Sequence, residues 1–138
     1  KAKQAGKVLG ILMIDMDGLK PINDQYGHRL GDEALKEIAR RIVNNTRQND
    51  LVARLGGDEF AVILSSVADQ ELATSVMNRV AQVCGLPFVF ENIKLTIGAS
   101  VGLAFYPVDA AELNQLIECA DQKMYAHKRQ KKSLSLSI

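Results

Sequence analysis

Two acidic clusters lie where strands would end. Asp15 and Asp17 follow the apolar run VLGILMI, and Asp58 and Glu59 follow two glycines in RLGGDEFAVIL. Carboxylates two residues apart on an extended segment project to one side. Hard oxygen ligands on a rigid strand end suit Mg²⁺, which takes one or two carboxylates and completes its shell with phosphate oxygens and water. Taken singly, each cluster is equally a polar turn, since Gly and Asp are ordinary turn residues. Their pairing matters more: if the segment around GGDE packs beside the first strand, carboxylates from separate segments surround a metal pair. A calcium loop of the EF-hand type is excluded. Leu19, Lys20 and Tyr26 stand where that loop wants an acid, a glycine and a final glutamate.

These acids need a scaffold, and its parts can be read from periodicity. VLGILMI is short, apolar and β-branched, and so reads as a buried strand. Ala34, Leu35, Ile38, Ala39, Ile42 and Val43 recur at helical spacing, with Asp32 positioned to cap that helix. LVARL and FAVIL flank GGDE as an antiparallel hairpin, the glycines accepting positive φ. Leu72, Val76, Val80 and Val83 mark a second helix. FVF and IKLTIGASVGLAF then flank a turn at Glu91 and Asn92. In the latter segment Leu95, Ile97, Ala99, Val101, Leu103 and Phe105 share a bulky face, and Thr96, Gly98, Ser100, Gly102 and Ala104 a small one suited to close approach. Pro107 ends that strand, and Leu113, Leu116, Ile117, Ala120 and Met124 give a last helix running into KRQKK. The order does not alternate as in a doubly wound sheet; it predicts an α+β fold, a mixed or antiparallel sheet flanked by helices.

Bulk properties narrow the function. A chain of 138 residues, 47% hydrophobic, forms one domain that buries roughly 68% of its unfolded surface. Its net charge of +1 gives no electrostatic basis for nucleic-acid binding or membrane contact, so any anion site is local. Cys84 and Cys119 fall within helical patterns and read as small hydrophobes of a reduced, cytoplasmic domain. The longest apolar run, Val8 to Ile14, is too short to span a bilayer, and no secretory signal precedes it. Linker composition is confined to KAKQAGK and the terminal SLSLSI.

DMDGLKPINDQYGH, HRLGDEAL, ARLGGDEFAVIL, ASVGLAF and ADQKMYAHK resemble, in order and spacing, the successive signatures of the GGDEF domain, the catalytic module of diguanylate cyclases. The resemblance extends from Val8 to Lys132. It implies a ferredoxin-like core related to nucleotidyl cyclases and polymerase palms, with a central five-stranded sheet. It also implies condensation of two GTP into cyclic di-GMP and two pyrophosphates, with two Mg²⁺ per site and Mn²⁺ as a substitute. Carried over by position, Asp15 is a metal ligand, Met16 offers its carbonyl to the metal, Asp58 is the second metal acid and a base, and Glu59 serves as metal ligand or base. Gly56 and Gly57 clear room for a nucleotide and turn backbone toward its phosphates. Asn23 and Asp32 read guanine, whose Watson–Crick edge offers N–H donors to a carboxylate and a carbonyl to an amide; for Asp32 a helix cap is the other reading. Lys20 and Lys128 meet the triphosphate, Lys128 being otherwise a solvated lysine near a helix C-terminus.

Some positions depart from the family pattern. Leu19 replaces a Phe, His127 an Ala, and Lys132 the Arg expected to bind phosphate, keeping charge but losing the bidentate fork. KAKQAGK does not match the DxLTGLxNR segment that usually precedes the first strand in the family, so the expectation is that residues 1–138 are a single GGDEF domain truncated at its N-terminus and excised from a larger signalling protein. Arg47 and Asp50 in RQND, with five residues between Asp50 and Gly56, match the family's inhibitory site for product, with Arg79 as a second arginine or simply a surface salt bridge. A symmetric product built from one GTP per site requires a homodimer. The competing expectation is a weak or inactive module that binds GTP or cyclic di-GMP and regulates a partner domain.

Overall fold

The computed structural model describes residues 8–67 and 70–136, with side chains over 8–65 and 70–131. Strand β1 (Val8–Asp17) runs through the centre, and all its neighbours are antiparallel. With β2 (Leu51–Gly56), β3 (Glu59–Val67) and β6 (Gly98–Tyr106) it forms a four-stranded sheet in the order β2-β3-β1-β6. Alternate residues of β1 enter different cores. Leu12, Ile14 and Met16 lie beneath helices α1 (Leu19–Tyr26), α2 (His28–Asn44) and α3 (Gln70–Cys84), whereas Ile11 and Met13 pack with Leu116, Ala120 and Met124 of α4 (Leu113–Leu136). A strand covered on both faces is uniformly apolar, which is why VLGILMI shows no alternation.

The α+β class with its antiparallel sheet and flanking helices is as read; the strand count differs. Instead of a fifth strand in the main sheet, β4 (Phe88–Phe90) and β5 (Ile93–Leu95) form a separate ladder. The cause is local. Glu91 and Asn92 both take positive φ, 51° and 65°, as a two-residue type I′ turn demands, so β5 folds straight back onto β4. The segment IKLTIGASVGLAF is therefore two strands with a break at Thr96 and Ile97. Its faces are as expected: Leu95 through Phe105 at odd positions join the larger core. On the other face Gly102 lies so close to α4 that a Cβ there would fall 2.1 Å from the Ala120 carbonyl oxygen.

Three helix boundaries correct the sequence reading. Helix α2 begins at His28, not Ala34, because Gly27 at φ 92° turns the chain directly from α1 into α2. Asp32 therefore sits inside the helix and caps nothing. Helix α1 is an addition to the sequence reading, since with only Leu19 and Ile22 buried it has too few apolar positions to show a period. Helix α4 continues through Leu136, over most of the stretch read as linker; residues 1–7 and 137–138 lie outside those described. In α3 the buried line is Ala73, Val80 and Cys84, leaving Leu72 49% exposed. Both cysteines are free thiols, and burial pushes that of Cys84 up to about 11. Among the described residues no helix is long and apolar enough to cross a membrane.

The outer edge of β6 is closed by side chains of α4. The Val101 N–H donates to His127 Nδ1 at 3.0 Å, Lys123 Nζ donates to the Leu103 carbonyl at 3.1 Å, and Lys131 Nζ to the Ala99 carbonyl at 2.6 Å. Residues 123, 127 and 131 recur every four positions, so one face of α4 matches the two-residue repeat of the strand. At the far end Asp109 accepts from the Phe105 N–H at 2.7 Å.

Candidate functional site

The two acidic strand ends do meet. Asp15 stands directly opposite Glu59 in the β1–β3 ladder, and the next backbone bond joins the hairpin tip to β1, the Met16 N–H donating to the Asp58 carbonyl at 3.0 Å. Between β2 and β3, Gly56 and Gly57 take φ of 136° and 52°, conformations that side chains disfavour. No heavy atom would lie within 4 Å of a Cβ on either glycine, so the space over the hairpin is open. Arg54 steadies the tip by donating from Nε and Nη2 to the Gly57 carbonyl, at 3.1 and 2.8 Å.

The charge here is unbalanced. Asp15 is only 6% exposed and bonds Lys128 Nζ at 2.7 Å. That bond raises the Lys128 pKa, with smaller contributions from the charges of Asp17 and Asp58. Burial raises the Asp58 carboxyl above its ordinary range, and the Asp15 charge and a hydrogen bond with Asp15 add to the rise. Glu59 is raised by burial first, then by Asp121, Asp15 and Asp58. One lysine thus faces several acids that would each ionise more readily beside further positive charge. A divalent cation would supply it. Among the described residues no group of three or more His, Cys, Asp and Glu side chains is arranged to hold a metal ion by itself. Two carboxylates with a backbone carbonyl nonetheless fit Mg²⁺, whose remaining positions go to phosphate and water.

Asp17 takes a different part from Asp15. Ser100 Oγ lies 3.1 Å from both its carboxylate oxygens, Lys131 Nζ bonds Oδ2, and Lys128 Nζ lies 3.8 Å from Oδ1. A cavity of about 660 Å³ opens beside this group, lined by Met16, Asp17, Lys20, Asp58, Lys128 and Lys131 among others. That volume is ample for a nucleotide. Lys20 also bonds Asp24 at 3.4 Å across an exposed helix surface. The side chain of Lys132 lies outside the described residues.

Asn23 and Asp32 are not brought together, and neither lines the cavity beside Asp58. Asn23 Oδ1 is buried without a hydrogen-bond partner, packed where a Cβ on Gly31 would be 1.7 Å away. Asp32 follows Gly31 but lines a separate recess of about 370 Å³ with Leu35, Arg54 and Phe60. In RQND, Asp50 is turned inward: its side chain has no exposure and accepts from the Arg47 N–H at 2.8 Å and the Ser65 N–H at 3.2 Å. Arg47 and Arg79 share a recess of about 180 Å³ with Leu64 and Val76, and Arg79 donates to the Asn45 carbonyl at 3.0 Å.

Sequence reasoning missed Asp121 and Lys131. Asp121 Oδ1 is buried and lacks a hydrogen-bond partner, and its charge reaches Glu59. It stands seven residues before Lys128, two helical turns, so helical spacing would have put it on the same face.

Comparison with known proteins agrees with this geometry. The family model described as "Diguanylate cyclase, GGDEF domain" matches residues 1–134. Diguanylate cyclase TpbB of Pseudomonas aeruginosa is 38% identical over 130 residues, covering 94% of this chain and 30% of the relative. Bifunctional diguanylate cyclase/cyclic di-GMP phosphodiesterase MucR of the same organism is 40% identical over 123 residues, covering 87% of this chain and 17% of the relative. The chain thus spans under a third of either protein. Among solved structures, the GGDEF domain of TpbB (YfiN) superposes with a TM-score of 0.90 at 38% identity, covering 94% of this chain and 81% of that one. The GGDEF domain of DgcB from Caulobacter crescentus, in complex with c-di-GMP, gives a TM-score of 0.80 at 27% identity, covering 94% and 77%.

Proposed function

Because the chain belongs to the GGDEF family, we propose that it is one half-site of a diguanylate cyclase, joining two GTP into cyclic di-GMP with release of two pyrophosphates. The observation that carries this is the meeting of Asp15 with Asp58 and Glu59 beside a nucleotide-sized cavity. Asp15, Asp58 and the Met16 carbonyl, with Glu59 alongside, would hold Mg²⁺, which when bound lowers the pKa of the ribose 3′-hydroxyl and neutralises charge at the α-phosphate. Asp58 and Glu59, at the hairpin tip, would stand within the site as the bases for the 3′-hydroxyl proton. The 3′-oxygen then bonds the α-phosphorus of the facing GTP as its α–β anhydride breaks, and the same exchange in the other direction closes the ring. Asn23 and Asp32 read guanine, Lys20 and Lys128 meet the triphosphate, and the open face over Gly56 and Gly57 admits it. Two copies must face each other, one GTP in each. Product binds at the RxxD site of Arg47 and Asp50, with Arg79 beside it, as a feedback signal; the relative DgcB, whose domain was solved with c-di-GMP, supports a product site in this family.

A module that binds GTP or cyclic di-GMP without turnover is the second reading, favoured by one observation: Lys128 holds Asp15, the acid a metal needs. The test fuses the domain to a parallel coiled coil, supplies GTP and Mg²⁺, and identifies products by mass spectrometry. Cyclic di-GMP, lost in Asp58→Ala, is the expected result. Its absence from the forced dimer overturns the cyclase, and GTP binding without product would establish the second reading.

A further inference from the structure

Among the described residues, the cation of the last helix's basic run that lines the cavity is Lys131. Lys131 reaches the same chamber as Asp58 and Lys128. Its ammonium is anchored by two bonds, to Asp17 Oδ2 and to the Ala99 carbonyl. An ammonium carries three donors, and these two leave one. The side chain is 36% exposed, so the lysine is not sealed from the cavity. Lys128, one helical turn earlier, hydrogen-bonds Asp15 alone among the described residues, and Lys20 is 87% exposed. Among the described lysines lining the cavity, Lys131 is the one anchored by two bonds at once, to a carboxylate and to a strand carbonyl.

We propose that Lys131 binds the β- and γ-phosphates of the nucleotide, positioned for it by Asp17 and Ser100. This rests on the nucleotide reading above. The Asp17 carboxylate, fixed by Ser100 Oγ, orients the ammonium without a metal. Ser100 is fully buried, so the anchor is rigid. The two acids of DMD thereby divide their roles: Asp17 holds a phosphate-binding cation, while Asp15 holds the metal.

The test measures binding of guanosine α,β-methylene triphosphate, whose P–C–P linkage this reaction cannot cleave, and of GMP, each with Mg²⁺, by titration calorimetry. Lys131→Gln is expected to weaken the triphosphate roughly tenfold, the loss of about one charge-assisted hydrogen bond, and to change GMP affinity less than twofold. Removing Lys131 also uncovers Asp17, whose charge alone would repel phosphates, so Lys131→Gln is combined with Asp17→Asn. Continued weak binding in the double variant supports a direct contact. Restored affinity, or a single variant that binds like the wild type, overturns the inference and leaves the cyclase reading standing. Wild-type protein that binds neither ligand overturns both. Thermal melts of each variant establish that the loss is not one of folding.

Discussion

Gly102→Ala tests whether α4 is seated on β6 by close approach. The added Cβ would fall 2.1 Å from the Ala120 carbonyl oxygen, 2.3 Å from the Met124 nitrogen and 2.9 Å from the Lys123 carbonyl carbon. All three are backbone atoms of one helix turn, which cannot rotate aside as a side chain can. To restore ordinary contact α4 must retreat on the order of 1 Å across a close-packed interface. Overpacking of this kind costs about 1–3 kcal/mol. An unfolding entropy of about 2.1 cal/mol/K per residue makes each kcal/mol about 3 °C for a chain this size, so Tm should fall by about 3–10 °C. The retreat also draws Lys128 from Asp15, now at 2.7 Å, and Lys131 from Ala99, now at 2.6 Å. Weaker GTP binding should therefore accompany the lower Tm. Gly10→Ala is the internal control: on the adjacent strand, its Cβ would meet Leu64 at 3.5 Å and Leu103 at 3.6 Å, ordinary contacts. It should cost under about 1 kcal/mol. Equal melting temperatures for the two variants would refute the reasoning.

Asp58→Asn removes a charge that faces Asp15. Without metal it should stabilise the domain by up to about 1 kcal/mol, a modest figure because solvent screens the pair, while abolishing turnover; a metal-free melt no higher than wild type contradicts this. His127 accepts the Val101 N–H through Nδ1, so it is folded as the neutral imidazole, and burial followed by Lys131 lowers its pKa, with Asp17 opposing. The unfolded chain then takes up the proton first, and stability should be lost as pH falls through the ordinary histidine value near 6.5 toward the lower folded one. The wild-type minus His127→Gln difference in urea-unfolding free energy, measured from pH 7.5 to 5, should shrink over that window; a flat difference argues against the neutral acceptor. Gly31→Ala displaces Asn23 Oδ1 yet replaces a helical glycine. KM for GTP should rise and preference over ATP should narrow, with Tm changed little; unchanged selectivity would separate Asn23 from guanine recognition.

What was legible followed from short-range rules. Alternation along residues 99–105 gave both faces of β6, because burial on opposite sides of a strand imposes a period of two. Glu91 and Asn92 signalled a turn because it needs positive φ at two successive residues. The acidic ends were legible as ingredients, but only antiparallel pairing of β3 beside β1 brings Glu59 opposite Asp15. Long-range choices stayed hidden. Asp32 looked like a cap because Gly27, seven residues before Ala34, sets the helix start by its backbone angle and not by its pattern. The DMD acids looked equivalent until α4 supplied different partners, Lys128 to one and Lys131 mainly to the other. Val80 of the predicted stripe is buried as expected, but Ala73 and not Leu72 is buried at the start of α3.

The two margins of the sheet differ in what they permit at high concentration. Lys123, His127 and Lys131 occupy peptide groups of β6 that a neighbouring molecule's strand would otherwise use. Strand β2, with Leu51 60% and Leu55 53% exposed, borders the other side. Unprotected strands at both margins would let molecules add end to end without limit. With β6 sealed, strand addition to the four-stranded sheet falls to β2 among the described residues, and a pair joined there leaves that sheet no free margin for a third molecule. Growth through the four-stranded sheet would therefore stop at two copies.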